Sequence, residues 1–458
     1  MSISTTNPST GLVEKTFDPY SPEETEQRVA RAHDAVDRLR RTSFTQRAAW
    51  MCATADLLES ELELVAPLLT TEMGKTLESA RAEVRKCVAS MRFYARHAHR
   101  FLADELLADP GAVGASRALA RYEPLGVVLA VMPWNYPLWQ VVRFAAPALM
   151  AGNAGLLKHA SNVPQAALYL DTLFTRGGFP QGSFSTLLIS ARDVEGVLAD
   201  RRVKAVTLTG SEGAGRAVAA VAGRHTKKAV LELGGSDPFI VMPSADVAHA
   251  ARVGALARTS NNGQSCIAAK RFLVHDAVYD RFVAAFVEQM AALTVGDPME
   301  TSTDVGPIAT QGGRTDLVEL VEDAVGKGAR VLTGGVVPDG PGWFYPPTVL
   351  EGVTPAMRLH SEEAFGPVAT VYRVRDTDDA VVLANSTTYG LSSSVWTEDA
   401  DEQRRFTSDL EVGAVFVNGM SVSYPQLPFG GVKDSGYGRE LSAAGIREFC
   451  NLKTIWQA

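Results

Sequence analysis

The sequence predicts an α/β protein with two domains built on mostly parallel sheets, and three observations lead there. The N-terminal third reads as helices, the stretch from Arg121 alternates short β-rich runs with helical segments, and the same alternation continues after Ser244. Strands that alternate with helices pair in parallel, because each crossover helix covers a face of the sheet. The 458 residues leave room for two or three domains of about 150 residues each.

Each element has a local reason. Ser21 is placed to cap the first helix, with Pro22 at the first helical position and Glu24 completing a capping box. Val29, Ala32, Val36 and Leu39 then fall on one stripe at helical spacing. Further helical patterns run from about Thr45 to Thr71 and, after Gly74, from about Lys75 to Phe101. The runs GVVLAVMPWN, GLLKHAS, VKAVTLTG, KAVLELGG and DPFIVM read as the strands of the first alternation. In the second, SADVAHAARVGALARTS and YDRFVAAFVEQMAAL read as helices, and RFLVHD, RVLTGG, ATVYRV and GAVFVNG as strands. No internal repeat or long Pro/Ser linker interrupts the chain, so the domains are expected to pack closely.

Composition excludes several classes. Hydrophobic residues at 46% and charged residues at 21% are those of a folded globular chain and not of a disordered one. Lys plus Arg total 44 against 52 Asp plus Glu, a net charge of −8, which argues against a nucleic-acid partner. The N-terminus has no charged start followed by an apolar core, and no apolar run is long enough to span a bilayer, so a cytoplasmic protein without a membrane partner is expected. Cys52, Cys87, Cys266 and Cys450 are too few and too scattered for a disulfide scaffold, and none has C-x-x-C spacing, so free thiols and no metal site are expected. Cys52 and Cys87 lie in helical apolar patterns and read as inert buried thiols. Cys266, in NNGQSCIAAKRF, lies among polar and small residues instead.

The motifs follow. In VKAVTLTGSEGAGRAVAAVAG a strand runs into Gly210-Ser211-Glu212-Gly213-Ala214-Gly215 and then a helix; such a turn brings N–H groups and the positive helix end to a diphosphate, though the spacing is not G-x-G-x-x-G and tight turns also need glycine for shape alone. In LELGGSDPFIV, Glu232 ends an apolar strand, where desolvation raises a carboxylate toward general-base duty; a solvent-facing strand end is the plainer alternative. Cys266 follows Gly-Gln-Ser, an approach that lets N–H groups crowd a sulfur nucleophile, while a lone cysteine is more often a packing residue. Asn135, Arg143 and Lys158 stand among aromatic and small residues; they suit, in turn, an oxyanion, a carboxylate and a ribose or phosphate, and singly each also suits a cap or a surface charge.

In combination, PWNYP, LLKHA, TGSEGAG, LELGGSDP, GQSC, EEAFGPV and PFGGVKDSGYGRE closely resemble the aldehyde dehydrogenase superfamily over nearly the whole chain. The resemblance implies an aldehyde dehydrogenase-like fold: a Rossmann-type dinucleotide-binding domain from residues 1–112 and 125–235, a catalytic domain from 236–428, and a small β bridging element from 113–124 and 429–458 that pairs subunits into a homodimer or homotetramer. It implies Cys266 as the nucleophile that gives a thiohemiacetal, Asn135 with the Cys266 N–H as the oxyanion site, hydride transfer to nicotinamide, and Glu232 as the base for hydrolysis of the resulting thioester. Lys158 matches the ribose contact, Ser211 with Gly210 and Gly215 the diphosphate turn, Glu363 and Phe365 the nicotinamide side, and Pro133, Trp134 and Leu233 further cofactor contacts.

LWQVVR, LLKHASNVP, LGGSDPFIV and CIAAKRF look most like a short bacterial branch of succinate-semialdehyde dehydrogenases. In that resemblance Arg143 matches a guanidinium for the distal carboxylate, with Tyr136, Trp139 and Ser423 lining the tunnel. Ser161 stands where NAD-specific members carry a glutamate; a serine removes the repulsion of a 2′-phosphate, so NADP is expected to be preferred and NAD possible. Ser260 stands where one branch has a second arginine, and Ala268 where that branch has a second cysteine, so no local disulfide switch is expected. The alternatives are a dehydrogenase for other semialdehydes or aliphatic aldehydes, with Arg143 in a structural ion pair, and a non-enzymatic protein on the same fold, against which the intact Cys266, Glu232, Asn135 and Lys158 speak.

Overall fold

The computed structural model describes residues 3–458; residues 1 and 2, the start of the domain expected from 1–112, lie outside the described residues. The helix Pro22–Arg40 carries the expected capping box, the Ser21 Oγ accepting from the Glu24 N–H at 3.2 Å and Glu24 Oε2 from the Ser21 N–H at 2.9 Å. Its predicted stripe is buried. The single pattern expected from Thr45 to Thr71 is two helices, Phe44–Ser60 and Leu62–Met73, broken at Glu61. Glu61 turns its carboxylate out to the Tyr169 hydroxyl and Arg176. Gly74, at φ +80°, then ends the second of these helices, and Leu77–Phe101 follows.

A six-stranded sheet takes its strands in the order Gly436–Tyr437, Lys228–Glu232, Val203–Thr209, Val127–Met132, Ala154–His159 and Phe184–Thr186. All neighbours are parallel except the first pair. The chain enters at Val127–Met132, moves outward to Phe184–Thr186, then returns to the other side of its first strand at Val203–Thr209. The loops leaving those two adjacent strands diverge, which opens a crevice at the carboxyl ends of the sheet.

The seven-stranded sheet runs Arg330–Thr333, Thr348–Glu351, Val368–Val374, Arg271–His275, Pro238–Val241, Ser392–Trp396 and Ala414–Val417, with only the first pair antiparallel. Its core holds Phe239, Phe272, Phe282 and Phe286, with ring centroids 4.4 Å apart for Phe272 and Phe286, a spacing favourable for offset aromatic pairs. A third sheet pairs Cys450–Gln457 with Arg117–Pro124 and adds Glu105–Leu106. The alternation foreseen after Ser244 missed the strand Ser392–Trp396 and the helix Gln311–Gly326. The strand is SSSVW, with serines turned into a buried layer, so its polarity hid it from a reading based on apolar runs. No helix among the described residues is long and apolar enough to cross a membrane.

Candidate active site

Two chain segments converge on the crevice from opposite sheets. The strand Lys228–Glu232 ends beside Thr209, its register partner, and runs through Leu233-Gly234-Gly235 into the strand Pro238–Val241 of the seven-stranded sheet. From the other side, the loop before Arg271–His275 delivers Cys266. A cavity of about 260 Å³ lies between them, lined by Pro133, Trp134, Asn135, Gln140, Thr209, Gly210, Ser211, Glu212, Leu233, Gly234, Cys266, Glu363 and Phe365. Trp134 and Phe365 meet edge to face across it, their centroids 5.7 Å apart.

The loop carrying Cys266 is held in an uncommon shape. Asn261, Asn262 and Gly263 have φ of 57°, 58° and 73°, a left-handed run that asparagine and glycine tolerate and other residues resist. Their side chains hold it there. Asn261 Nδ2 donates to the Asn135 carbonyl at 2.9 Å, and Asn262 Nδ2 to the Gly74 carbonyl at 2.7 Å. Asn135 Nδ2 donates to the Gln264 carbonyl at 3.1 Å, leaving its second N–H free. Asn135 and Cys266 thus share one cavity wall and one hydrogen-bonded loop.

Behind Asn135 lies a buried support that sequence reasoning missed. Glu83 accepts from the Leu138 and Trp139 N–H groups at 2.7 and 2.9 Å, and pairs with Lys75, itself 4.2 Å from the Tyr136 ring centre. Both charges are fully buried. Glu83→Ala leaves Lys75 without its partner and is expected to cost about 3–5 kcal/mol, read as a lowered midpoint in urea denaturation. His159 braces the same turn: its Nδ1 accepts from the Ala160 N–H at 2.9 Å and its Nε2 donates to the Pro137 carbonyl at 2.9 Å. Burial pushes it down to about 4, so it stays neutral and is a brace without a proton to give.

Burial governs the reactive groups. The Cys266 thiol is pushed up to about 12 by desolvation, opposed by Arg143 and Lys270. Lys270 donates to the Cys266 carbonyl at 2.8 Å and pairs with Glu363 at 3.1 Å. Glu232 is 2% exposed, and neither carboxylate oxygen has a hydrogen-bond partner among the described residues. Desolvation first, and then the nearby Glu440, hold it well above the usual carboxylate range, while Arg143 and Arg439 pull it back. Glu232 adjoins the lining residues Thr209, its register partner, and Leu233, but does not itself line the cavity.

A second cavity of about 90 Å³ lies on the far side of Cys266, lined by Tyr136, Ser260, Ser265, Ile267, Ala268 and Ser423 among others. Behind the lining residue Ser423 stands Trp139, its indole N–H donating to Ser423 Oγ at 3.2 Å. Tyr136 and Ser423 therefore line one cavity, and Trp139 reaches it through its bond to Ser423. Lys86, on the helix Leu77–Phe101, also lines this cavity; the sequence signal for it, a lysine beside Cys87 on the buried helix face, did not say what that face met.

Two expectations are corrected. Arg143 lines neither cavity; its guanidinium is buried against Glu440, donates to Thr209 Oγ1 at 3.4 Å and lies 4.6 Å from the Phe429 ring centre. A carboxylate as buried as Glu440 needs a counter-charge, and Arg143 supplies it, so the expected clamp is not formed. Gly215 does not face the cavity either. A Cβ there would sit 2.6 Å from Leu233 Cδ2, so its bareness serves close packing of the helix Glu212–Arg224 on the sheet. Ser211 caps that helix, accepting from the Ala214 N–H at 3.4 Å. Lys158 is the penultimate residue of the strand Ala154–His159, and Ser161 lies in the turn that follows; neither lines the larger cavity. Among the other cysteines, Cys87 and Cys450 are buried as an inert thiol requires, whereas Cys52 is half-buried.

The aldehyde dehydrogenase family matches residues 1–455. The chain is 61% identical over 457 residues to a succinate-semialdehyde dehydrogenase (NADP(+)) of Mycobacterium avium, covering 100% of this chain and 97% of that one. It is 60% identical over 458 residues to the protein of the same description in Mycobacterium leprae, covering all of both. The crystal structure of succinic semialdehyde dehydrogenase from Streptococcus pyogenes in complex with NADP+ superposes with a TM-score of 0.96 at 35% identity, over 99% of each chain. With a match that spans both large sheets and every residue around the two cavities, the chain belongs to the aldehyde dehydrogenase family.

Proposed function

We propose that this protein oxidises succinic semialdehyde to succinate with NADP as the hydride acceptor. The observation that carries the reading is that Cys266 lines the larger cavity, at the carboxyl ends of the six-stranded sheet, while its chain neighbours Ser265 and Ile267 line the smaller one, to which Tyr136 and four serines bring hydroxyl groups. Likeness to the mycobacterial enzymes supports the substrate and the cofactor.

The residues present fit NADP. The helix start at Ser211 offers N–H groups to a diphosphate, the half-buried Lys158 is a cation with no carboxylate within 4.0 Å among the described residues, and Ser161 puts no negative charge beside it. When bound, NADP accepts the hydride that leaves the aldehyde carbon. The chain's own groups do the rest. Cys266 adds to the aldehyde carbon as the thiolate, its proton released to water, Asn135 and the Cys266 N–H stabilise the oxyanion, and Glu232 takes the proton of the water that hydrolyses the thioester to succinate and the free Cys266 thiol.

The division proposed for the chain places cofactor binding in 1–112 and 125–235, catalysis in 236–428, and subunit pairing in 113–124 and 429–458. The sheets support it in the main, although the strand Gly436–Tyr437 from 429–458 joins the six-stranded sheet and Glu105–Leu106 joins the third sheet from before residue 113; exposed Leu452 and Trp456 on the third sheet suit a homodimer or homotetramer.

The test crosses NADP and NAD with succinic semialdehyde and butanal and follows reduced-nicotinamide absorbance. Higher kcat/KM with succinic semialdehyde and NADP is expected; equal values on butanal would move the function to a general aldehyde dehydrogenase. Ser161→Glu is expected to lower the NADP/NAD preference by about 10- to 100-fold, the effect of one like-charge contact near the surface; an unchanged ratio would show that Ser161 does not select the cofactor.

A further inference from the structure

The smaller cavity has an unusual lining for a tunnel that would serve apolar aldehydes. Tyr136, Ser260, Ser265, Ser421 and Ser423 present hydroxyl-bearing side chains to it, and Lys86 supplies its one cation. The ammonium donates to Ser423 Oγ at 2.7 Å and lies 4.3 Å from the Trp139 ring centre. Among the described residues no carboxylate lies within 4.0 Å of it. Arg143 differs in that respect, since Glu440 already answers its charge.

An ammonium held by a hydroxyl and an aromatic face, without an anionic partner, is in the state that a ligand carboxylate completes. We propose that Lys86, seated over Trp139 and bonded to Ser423, binds the distal carboxylate of the aldehyde and sets the preference for a semialdehyde over a neutral aldehyde. This rests on the function proposed above and names the group that reads the substrate's far end. The cavity begins beside Cys266, so a four-carbon chain with its aldehyde carbon at the sulfur directs its carboxylate into it. Ser423 and the other hydroxyls then donate to the second carboxylate oxygen.

The environment of Lys86 is consistent with that role. Burial pushes it down to about 8, Arg143 adds to the push, and Cys87, Glu83 and Cys266 oppose it. Below about pH 8 the free protein therefore carries the cation, and above it the cation is lost. Of the groups that face it, Ser423 and Trp139 do not titrate in this range.

Lys86→Met tests the proposal. The ratio of kcat/KM for succinic semialdehyde to that for butanal is expected to fall by about 10- to 100-fold, the loss of one charge-assisted hydrogen bond. Calorimetry with succinate, which needs no turnover, is expected to show a Kd raised by the same factor, and a wild-type Kd that rises above pH 8 where the variant's does not. Lys86→Gln, which keeps a donor for Ser423 without the charge, is expected to behave as Lys86→Met and covers the case in which methionine disturbs folding. A ratio and a succinate Kd unchanged in both variants would overturn the proposal, as would loss of the preference in Arg143→Met but not in Lys86→Met. A wild type with no preference for succinic semialdehyde would instead overturn the proposed function itself.

Discussion

Replacing Cys266 by alanine is expected to lower kcat/KM for aldehyde oxidation by about 10,000-fold or more, as removal of a covalent nucleophile does elsewhere, while NADP binding measured by protein fluorescence persists. The reason lies in the loop. Asn261 and Asn262 hold the chain in its left-handed turn through bonds to Asn135, Gly74 and Pro307, so alanine leaves the cavity wall in place and removes only the sulfur. Burial sets the resting state of that sulfur. Pushed up to about 12, Cys266 is a thiol at neutral pH in the free protein, and the thiolate fraction grows as pH rises. Its alkylation by iodoacetamide is therefore expected to accelerate about tenfold per pH unit through the neutral range, without levelling near 8.5 where an ordinary thiol would. Turnover retained in Cys266→Ala would show that another group carries the chemistry.

Glu232→Gln is expected to separate the two halves of the reaction. One equivalent of reduced nicotinamide forms, and turnover then continues about 100- to 10,000-fold more slowly, the usual worth of a positioned general base. Desolvation and Glu440 raise Glu232 above the ordinary carboxylate range. A raised pKa means that the base form is present only above that higher value, so hydrolysis of the thioester gains rate as pH rises through it. Glutamine abolishes both the rate and that pH dependence. Stopped-flow absorbance across pH checks each. A steady rate equal to that of the native protein would remove Glu232 from the mechanism.

Much of this site was readable in the chain because its parts are local. The capping box of the first helix needs only Ser21 and Glu24, and it formed as read. Cys266 with its polar neighbours and Glu232 at the end of an apolar strand each carried a local signal, but taken singly a packing thiol and a solvent-facing carboxylate were the plainer alternatives, and only the motifs in combination pointed to a reactive pair. What stayed hidden depends on which elements meet. The spacing of Ala80, Val84, Cys87 and Met91 marks one face of the helix Leu77–Phe101 as buried, but periodicity does not tell that Trp139 and Ser423 cover Lys86. Glu440 sits in the GYGRE tail, remote in sequence from the Arg143 it neutralises. A resemblance assigned Arg143 to the substrate because it matched a position; it could not show that a buried carboxylate would claim the guanidinium first. Gly215 fitted a phosphate turn by its neighbours, whereas Leu233 packs where its side chain would be.

The most direct test of a thioester route through Cys266 is to mix Glu232→Gln with succinic semialdehyde and NADP, quench in acid once the first equivalent of reduced nicotinamide has formed, and read the peptides by mass spectrometry. The route described here predicts a succinyl group on the peptide that contains Cys266 and on no other cysteine. Reduced nicotinamide formed in the same stoichiometry with the Cys266 peptide unmodified would contradict it.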